Sequence, residues 1–276
     1  MQKSNKSGLY MPSRLAVDRR GFVVGAAALG AGAAMSGSFA GRAFAQPKKG
    51  GTFRMALGHG STTDSLDPAT FENDFMIGSD YTLHNHLGEV DQSGTIKPEL
   101  ATWEASSDAK TWTFELRKGV QFHNGKEVTA EDVVASINHH RKEDSQSPAK
   151  SLLSPVADVK ATGKHTVVVE LDAGNADLPY IVSDYHIAIL PVDSDGKLNP
   201  TSGVGCGPYK LESYEPGVRI SFTRNENYWK SDRAHFDRVE LIVAHDAAAR
   251  TNALTTGEVD AIDRVDLKTV SLVKRR

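Results

Sequence analysis

Apolar and polar positions alternate in six stretches of the chain. Phe53, Met55 and Leu57 alternate with polar or small residues just after Gly50-Gly51, and Trp112, Phe114 and Leu116 alternate with Thr111, Thr113, Glu115 and Arg117. Val167, Val169 and Leu171 make a third run, 209–214 and 218–223 a fourth and fifth, and 238–244 a sixth. A period of two puts one side of each strand on a core. Glu215-Pro216-Gly217 between the fourth and fifth runs predicts a hairpin turn. Two helical stretches carry terminus signals. Thr129 with Asp132 three residues on resembles a capping box, followed by Val133, Val134 and Ile137 at helical spacing. Asp246 is placed to cap a helix that ends at Gly257, a residue suited to the left-handed turn that closes a helix. A short strand is expected at 259–262, and the polar, proline-containing 143–155 segment is expected to be a surface loop. Interleaved strands and helices without a strict βαβ repeat predict an α/β fold with a mixed sheet.

Residues 1–45 follow a different pattern. They hold six of the chain's 32 basic residues and one of its 35 acidic residues, a Gly/Ala-rich apolar run over 22–34, and Ala43-Phe44-Ala45. A basic start, a short apolar run and small residues at a cleavage position predict a secretory signal cut after Ala45. The run is shorter than the roughly 20 residues a spanning helix needs. Arg19-Arg20 and the mild hydropathy point to the twin-arginine route, with Asp18 standing where that motif has serine. The expected location is the periplasm, without a lipid anchor. Without the signal the net charge is −8, which argues against a nucleic-acid partner or an anionic membrane surface. The single cysteine, Cys206, excludes an internal disulfide and a cysteine-based metal cage.

Catalytic signatures are sparse. The chain has no G-x-S-x-G, H-E-x-x-H or G-x-x-x-x-G-K-[ST] motif. Gly203-Val204-Gly205-Cys206-Gly207 lacks dinucleotide spacing and predicts a tight loop leading into the 209–214 strand, with glycines that permit positive φ or the close approach of a ligand. His84 with His86, and His139 with His140, lack a third ligand of comparable spacing and are expected to be structural or exposed. Asp64 and Asp67 read as turn formers rather than a general acid and base. Cys206 reads as a small buried residue. Phe71, Phe75 and Tyr81, among Asn73, Asp74 and Asp80, fit either a pocket wall or a core face.

Five blocks, in order, resemble the family 5 extracellular solute-binding proteins of bacterial ABC importers, the dipeptide, oligopeptide and nickel-binding class. They are GGTFRMAL (50–57), SLDPA (65–69), PELATWEASSDAKTWTFELRKGVQFHNGKEVTAEDVVASI (98–137), GCGPYKLESYEPGVRISFTRNENYW (205–229) and DAAARTNALTTGEVDAI (246–262). Cys206 stands where the family has threonine. The resemblance implies an α/β periplasmic-binding-protein-like fold of class II. Its first lobe would have a mixed sheet from 46–84 and 201–262, and an extra α/β subdomain over 85–200. Residues 263–276 would begin the hinge, with the second lobe missing from this chain. The implied role is a non-catalytic clamp for a peptide or peptide-like solute. It is expected to work as a monomer, to take no cofactor and to deliver the solute to an inner-membrane ABC permease. On the lobe present, Asp67, Phe71, Phe75, Cys206, Gly207 and Tyr209 are expected to face the ligand. A secreted hydrolase and a non-functional truncated fragment are the alternatives.

Overall fold

The computed structural model describes residues 48–270; the signal-like segment, with Arg19, Arg20 and Ala45, lies outside them. In chain order the elements are β1 (Thr52–Leu57), α1 (Asp74–Leu83), β2 (Gly88–Val90), β3 (Ile96–Pro98), β4 (Ala101–Ala105), β5 (Thr111–Leu116), α2 (Ala130–Arg141), α3 (Ala149–Leu152), β6 (Val156–Gly163), β7 (Thr166–Leu171), α4 (Leu178–Ile181), β8 (Tyr209–Glu215), β9 (Arg219–Arg224), β10 (Arg238–Val243), α5 (Ala247–Thr256) and β11 (Ala261–Ile262).

A five-stranded sheet runs in the order β11-β1-β10-β9-β8. β1 is parallel to β10 and β11, whereas β10, β9 and β8 pair antiparallel, so the sheet is mixed. The β8–β9 hairpin turns at Gly217, whose φ is +68°; a Cβ there would lie 2.5 Å from the Ser61 carbonyl carbon. Only glycine combines that dihedral with that approach. Phe71, Phe75, Met76 and Leu83 pack with Leu57, Ile220, Phe222 and Leu241 as the core of this unit.

Between β1 and β8 the chain builds a second unit. Its four-stranded antiparallel sheet, β4-β5-β7-β6, carries α2, and Phe114, Val167 and Val169 meet Val133, Ile137 and Leu153 in a separate core. The Asp132 carboxylate accepts hydrogen bonds from both the N–H and the hydroxyl of Thr129, each 2.8 Å long, which fixes the start of α2. At α5 the cap is as expected. Asp246 accepts from the Ala249 N–H at 2.7 Å, and Gly257 closes the helix at φ +76°. The 143–155 stretch is not all loop, because it forms α3.

Candidate functional site

In an open α/β sheet, ligands settle in the crevice beyond the carboxyl ends of the parallel strands. Here those ends belong to β1, β10 and β11, and one buried guanidinium ties them together. Arg250 Nη1 donates to the carbonyls of Ala244 (2.6 Å) and His245 (3.0 Å) beyond β10. Its Nε lies 3.2 Å from Asp263 Oδ1 beyond β11. The Asp263 carboxylate in turn accepts the Gly58 N–H beyond β1, at 2.9 and 3.0 Å. Gly58 has to be small, since a Cβ would lie 2.9 Å from the Arg250 guanidinium.

Around this knot lies a half-exposed polar ring. Asp64 accepts from the Ser61 N–H and from Asn73 Nδ2, both at 2.8 Å, while Asn73 Oδ1 caps α1. Asp74, in the first turn of α1, holds Arg264 at 2.6 Å and faces the exposed His59 at 3.7 Å. The hydrogen bond from Arg264 holds the Asp74 carboxyl below the usual carboxylate range, so it stays ionised. Asp67 accepts from the Ala69 N–H at 2.9 Å and meets His139 Nε2 of α2 at 2.9 Å, joining the ring to the second unit. Burial raises the Asp67 carboxyl, but its bonds to His139 and Ala69 outweigh that, and the net shift is downward. The ring offers carboxylates, an imidazole and a guanidinium to solvent, a set suited to polar or zwitterionic solutes.

The six residues expected to face a ligand do not converge. Asp67 stands in the ring. Phe71 is 1% exposed and Phe75 is fully buried in the core beneath it, which leaves no side-chain surface for a ligand. Cys206 is fully buried among the apolar residues of the second unit, and burial pushes its thiol pKa up. Tyr209 is a core residue whose hydroxyl accepts the Phe236 N–H at 3.2 Å. Gly207 is small because a Cβ would lie 2.6 Å from the Leu83 carbonyl carbon. The 205–209 segment sits at the C-terminal end of α1 and the ring at its N-terminal end. The ten residues of α1 hold them roughly 15 Å apart. Sequence reasoning missed Gly58, His59, His245, Arg250, Asp263 and Arg264. The available signal was positional, since each follows a predicted strand or lies in the helix after one.

A concavity of about 310 Å³ opens at the far end of α1, with Tyr81, His86, Glu89, Tyr228, Lys230 and Arg233 in its wall. Its charges are already matched. Lys230 Nζ contacts Glu89 (2.6 Å) and Glu99 (2.5 Å), and Arg233 contacts Glu89 at 3.3 Å. That arrangement fastens the second unit to the sheet, so the strand-end ring is the better site. Among the described residues no group of three or more His, Cys, Asp and Glu is arranged to hold a metal ion, and no helix is long and apolar enough to cross a membrane.

Residues 95–276 match the model of "Bacterial extracellular solute-binding proteins, family 5 Middle". The chain is 30% identical over 267 residues to a probable peptide ABC transporter periplasmic-binding protein of Sinorhizobium fredii, covering 90% of this chain and 49% of that one. It is 29% identical over 225 residues to di/tripeptide-binding protein 1 of Pseudomonas aeruginosa, covering 70% and 41%. The structure of the PBP AgaA from A. tumefaciens R10, in complex with agropinic acid, superposes with a TM-score of 0.76 at 28% identity, covering 82% of this chain and 46% of that one. The oligopeptide-binding protein AppA of Bacillus subtilis, in complex with a nonapeptide, shares the fold with a TM-score of 0.75 at 22% identity, covering 83% and 47%. The chain thus spans about half the length of the relatives it matches. On the strength of the family match over residues 95–276, and of the mixed sheet with its second α/β unit, this chain belongs to the bacterial extracellular solute-binding proteins of family 5.

Proposed function

We propose that the strand-end ring is one wall of a clamp that binds a peptide or peptide-like solute and hands it to an ABC permease, without covalent chemistry. The observation that carries this reading is the Arg250–Asp263–Gly58 knot. It fixes three strand ends and leaves His59 exposed and the Asp74–Arg264 pair half-exposed around them. The names of the Sinorhizobium and Pseudomonas relatives support a peptide as the solute class. In a two-lobed clamp, ligand contacts made only in the closed form drive closure, so affinity depends on groups presented at this rim.

Thermal unfolding of the 276-residue chain with a di- and tripeptide panel tests the reading. A bound peptide at a hundred times its Kd stabilises by about 2.7 kcal/mol. Replacing His59 or Arg264 by alanine is expected to weaken peptide affinity by roughly two- to tenfold, the worth of one hydrogen bond, with little change in the ligand-free melting temperature. A flat response to every peptide at millimolar concentration sinks the proposal.

We further propose that residues 1–45 direct export by the twin-arginine route to the periplasm, because Arg19-Arg20 precede a short, mildly apolar run. With residues 1–50 fused to a folded reporter, changing both arginines to lysine should abolish export. Undiminished export by the lysine pair would point to the general secretory route.

A further inference from the structure

His123 is the only side chain placed with both ring nitrogens on the backbone of the glycine-rich loop, among the described residues. Its Nδ1 is the acceptor for the Gly205 N–H at 3.2 Å, and its Nε2 lies 3.1 Å from the Gly207 carbonyl oxygen. The His123 N–H also donates to the Gly205 carbonyl at 2.8 Å. His123 belongs to the turn between β5 and α2, whereas the loop leads into β8 of the large sheet. From the other side, Gly207 N–H donates to the Leu83 carbonyl at 3.0 Å, and Asn225 Nδ2 donates to the Gly207 carbonyl at 3.1 Å. The loop backbone packs directly on the end of α1, where a Cβ at Gly205 would lie 2.0 Å from the Leu83 oxygen.

An imidazole that accepts on Nδ1 and donates from Nε2 is neutral, with its one proton on Nε2. A second proton, on Nδ1, would point at the Gly205 N–H, setting two donors against each other. The one group that favours the cation is the Gly207 carbonyl, which already takes the Nε2 proton of the neutral ring, and burial outweighs it. His84 at the end of α1 and Lys210 in β8 both disfavour a cation there, and no carboxylate faces it among the described residues.

We propose that His123 is an acid-sensitive latch, which ties the Gly205 and Gly207 backbone to the turn before α2 when neutral and frees it when protonated, while Cys206 between them stays in the core. Partial burial and the flanking His84 and Lys210 agree with this, holding the ring's pKa down to about 4 against an ordinary 6.5. The sign is that of a depressed base. Its contribution is fully present above pH 6.5 and is lost as pH falls from there toward about 4. Release is local to the loop, since Lys230 with Glu89 and Glu99 still bridges the two units.

The test follows the Gly205 amide of the full chain by hydrogen exchange from pH 7 to 4.5, corrected for intrinsic rate. The opening equilibrium should rise by close to tenfold per pH unit below pH 6, the signature of one proton taken up on opening. In His123→Asn the amide oxygen can accept the same N–H without titrating, and the rise should disappear. An identical pH slope in both proteins overturns the proposal. If the variant does not fold, the ring nitrogen shifts of the wild-type protein decide alone. A His123 that carries its proton on Nδ1, or that titrates near 6.5, also overturns it. His140 is likewise held at about 4 by burial, but its Nδ1 meets Ser147 within the inserted unit. It therefore serves as the control, because its replacement should leave the Gly205 slope intact.

Discussion

Arg250→Met is expected to lower the stability of the fold by about 3–5 kcal/mol, the usual loss when one partner of a buried ion pair is removed. Arg250 is 4% exposed, and the side chain of Asp263 is 11% exposed. Methionine fills much of the volume, yet it leaves the Asp263 carboxylate with the Gly58 N–H and only a distant Arg264 Nε at 3.8 Å, and strips the Ala244 and His245 carbonyls of their donor. Both the uncompensated charge and the unsatisfied carbonyls count against the folded state. Urea unfolding of the wild-type and variant chains gives the difference directly. Arg250→Met combined with Asp263→Asn should recover part of the loss, because no charge is then stranded. A single-variant loss below about 1 kcal/mol would show that solvent reaches the pair and that the knot does not hold the strand ends. The same variant bears on function. The knot positions His59 and the Asp74–Arg264 pair, so the peptide binding proposed for this rim should weaken along with stability.

The strands that alternate cleanly were legible in the sequence. Trp112, Phe114 and Leu116 are buried on one side of β5, and Val167, Val169 and Leu171 on one side of β7. α5 was legible from its caps. α1 was not, because its buried face includes Ser79 and Asp80 beside Phe75, Met76 and Leu83, and this blurs the apolar period. β6 escaped because its register slips twice against β7, so the side chains stop alternating. The ring was illegible for a different reason. Its residues come from 58–59, 64–74, 245–250 and 263–264, and parallel pairing of Thr52 with Arg238 and of Met55 with Ala261 is what gathers them. No local pattern encodes a contact across about two hundred positions. The glycine-rich 203–207 stretch is a tight loop into β8, as its glycines suggest. The Leu83 backbone and the His123 ring lie directly against it, contacts that no local pattern announces.

Asp80→Asn is expected to destabilise by a similar 3–5 kcal/mol near pH 6, and to do so in a pH-dependent way that identifies the cause. Asp80 is fully buried, with His84 Nδ1 at 3.0 Å and His86 Nε2 at 3.2 Å, the latter close enough for charge attraction though poorly aligned as a hydrogen bond. Burial raises the Asp80 carboxyl, but the charge of His86 and the bond from His84 overcome it, and the net shift is below 3.8. Burial lowers the His86 pKa, but Asp80 and, more weakly, Glu99 and Asp184 reverse that, and the net shift is above 6.5. The two signs define a window. Asp80 contributes stability above the unfolded carboxylate pKa and loses it as pH falls through the lower folded value. His86 contributes below 6.5 and loses it as pH rises through the higher folded value. The difference between wild type and Asp80→Asn should therefore be largest from about pH 4 to 6.5 and shrink toward pH 9. Urea midpoints at pH 5.5 and pH 9 measure it. A difference that does not change between them would mean that lost packing, not lost charge, accounts for the effect. The alkaline limb of the profile belongs to Asp80 and His86, so Asp80→Asn should flatten that side, whereas the acid side is shared by His140 and the lowered carboxyls of Asp67 and Asp74 and should persist in the variant.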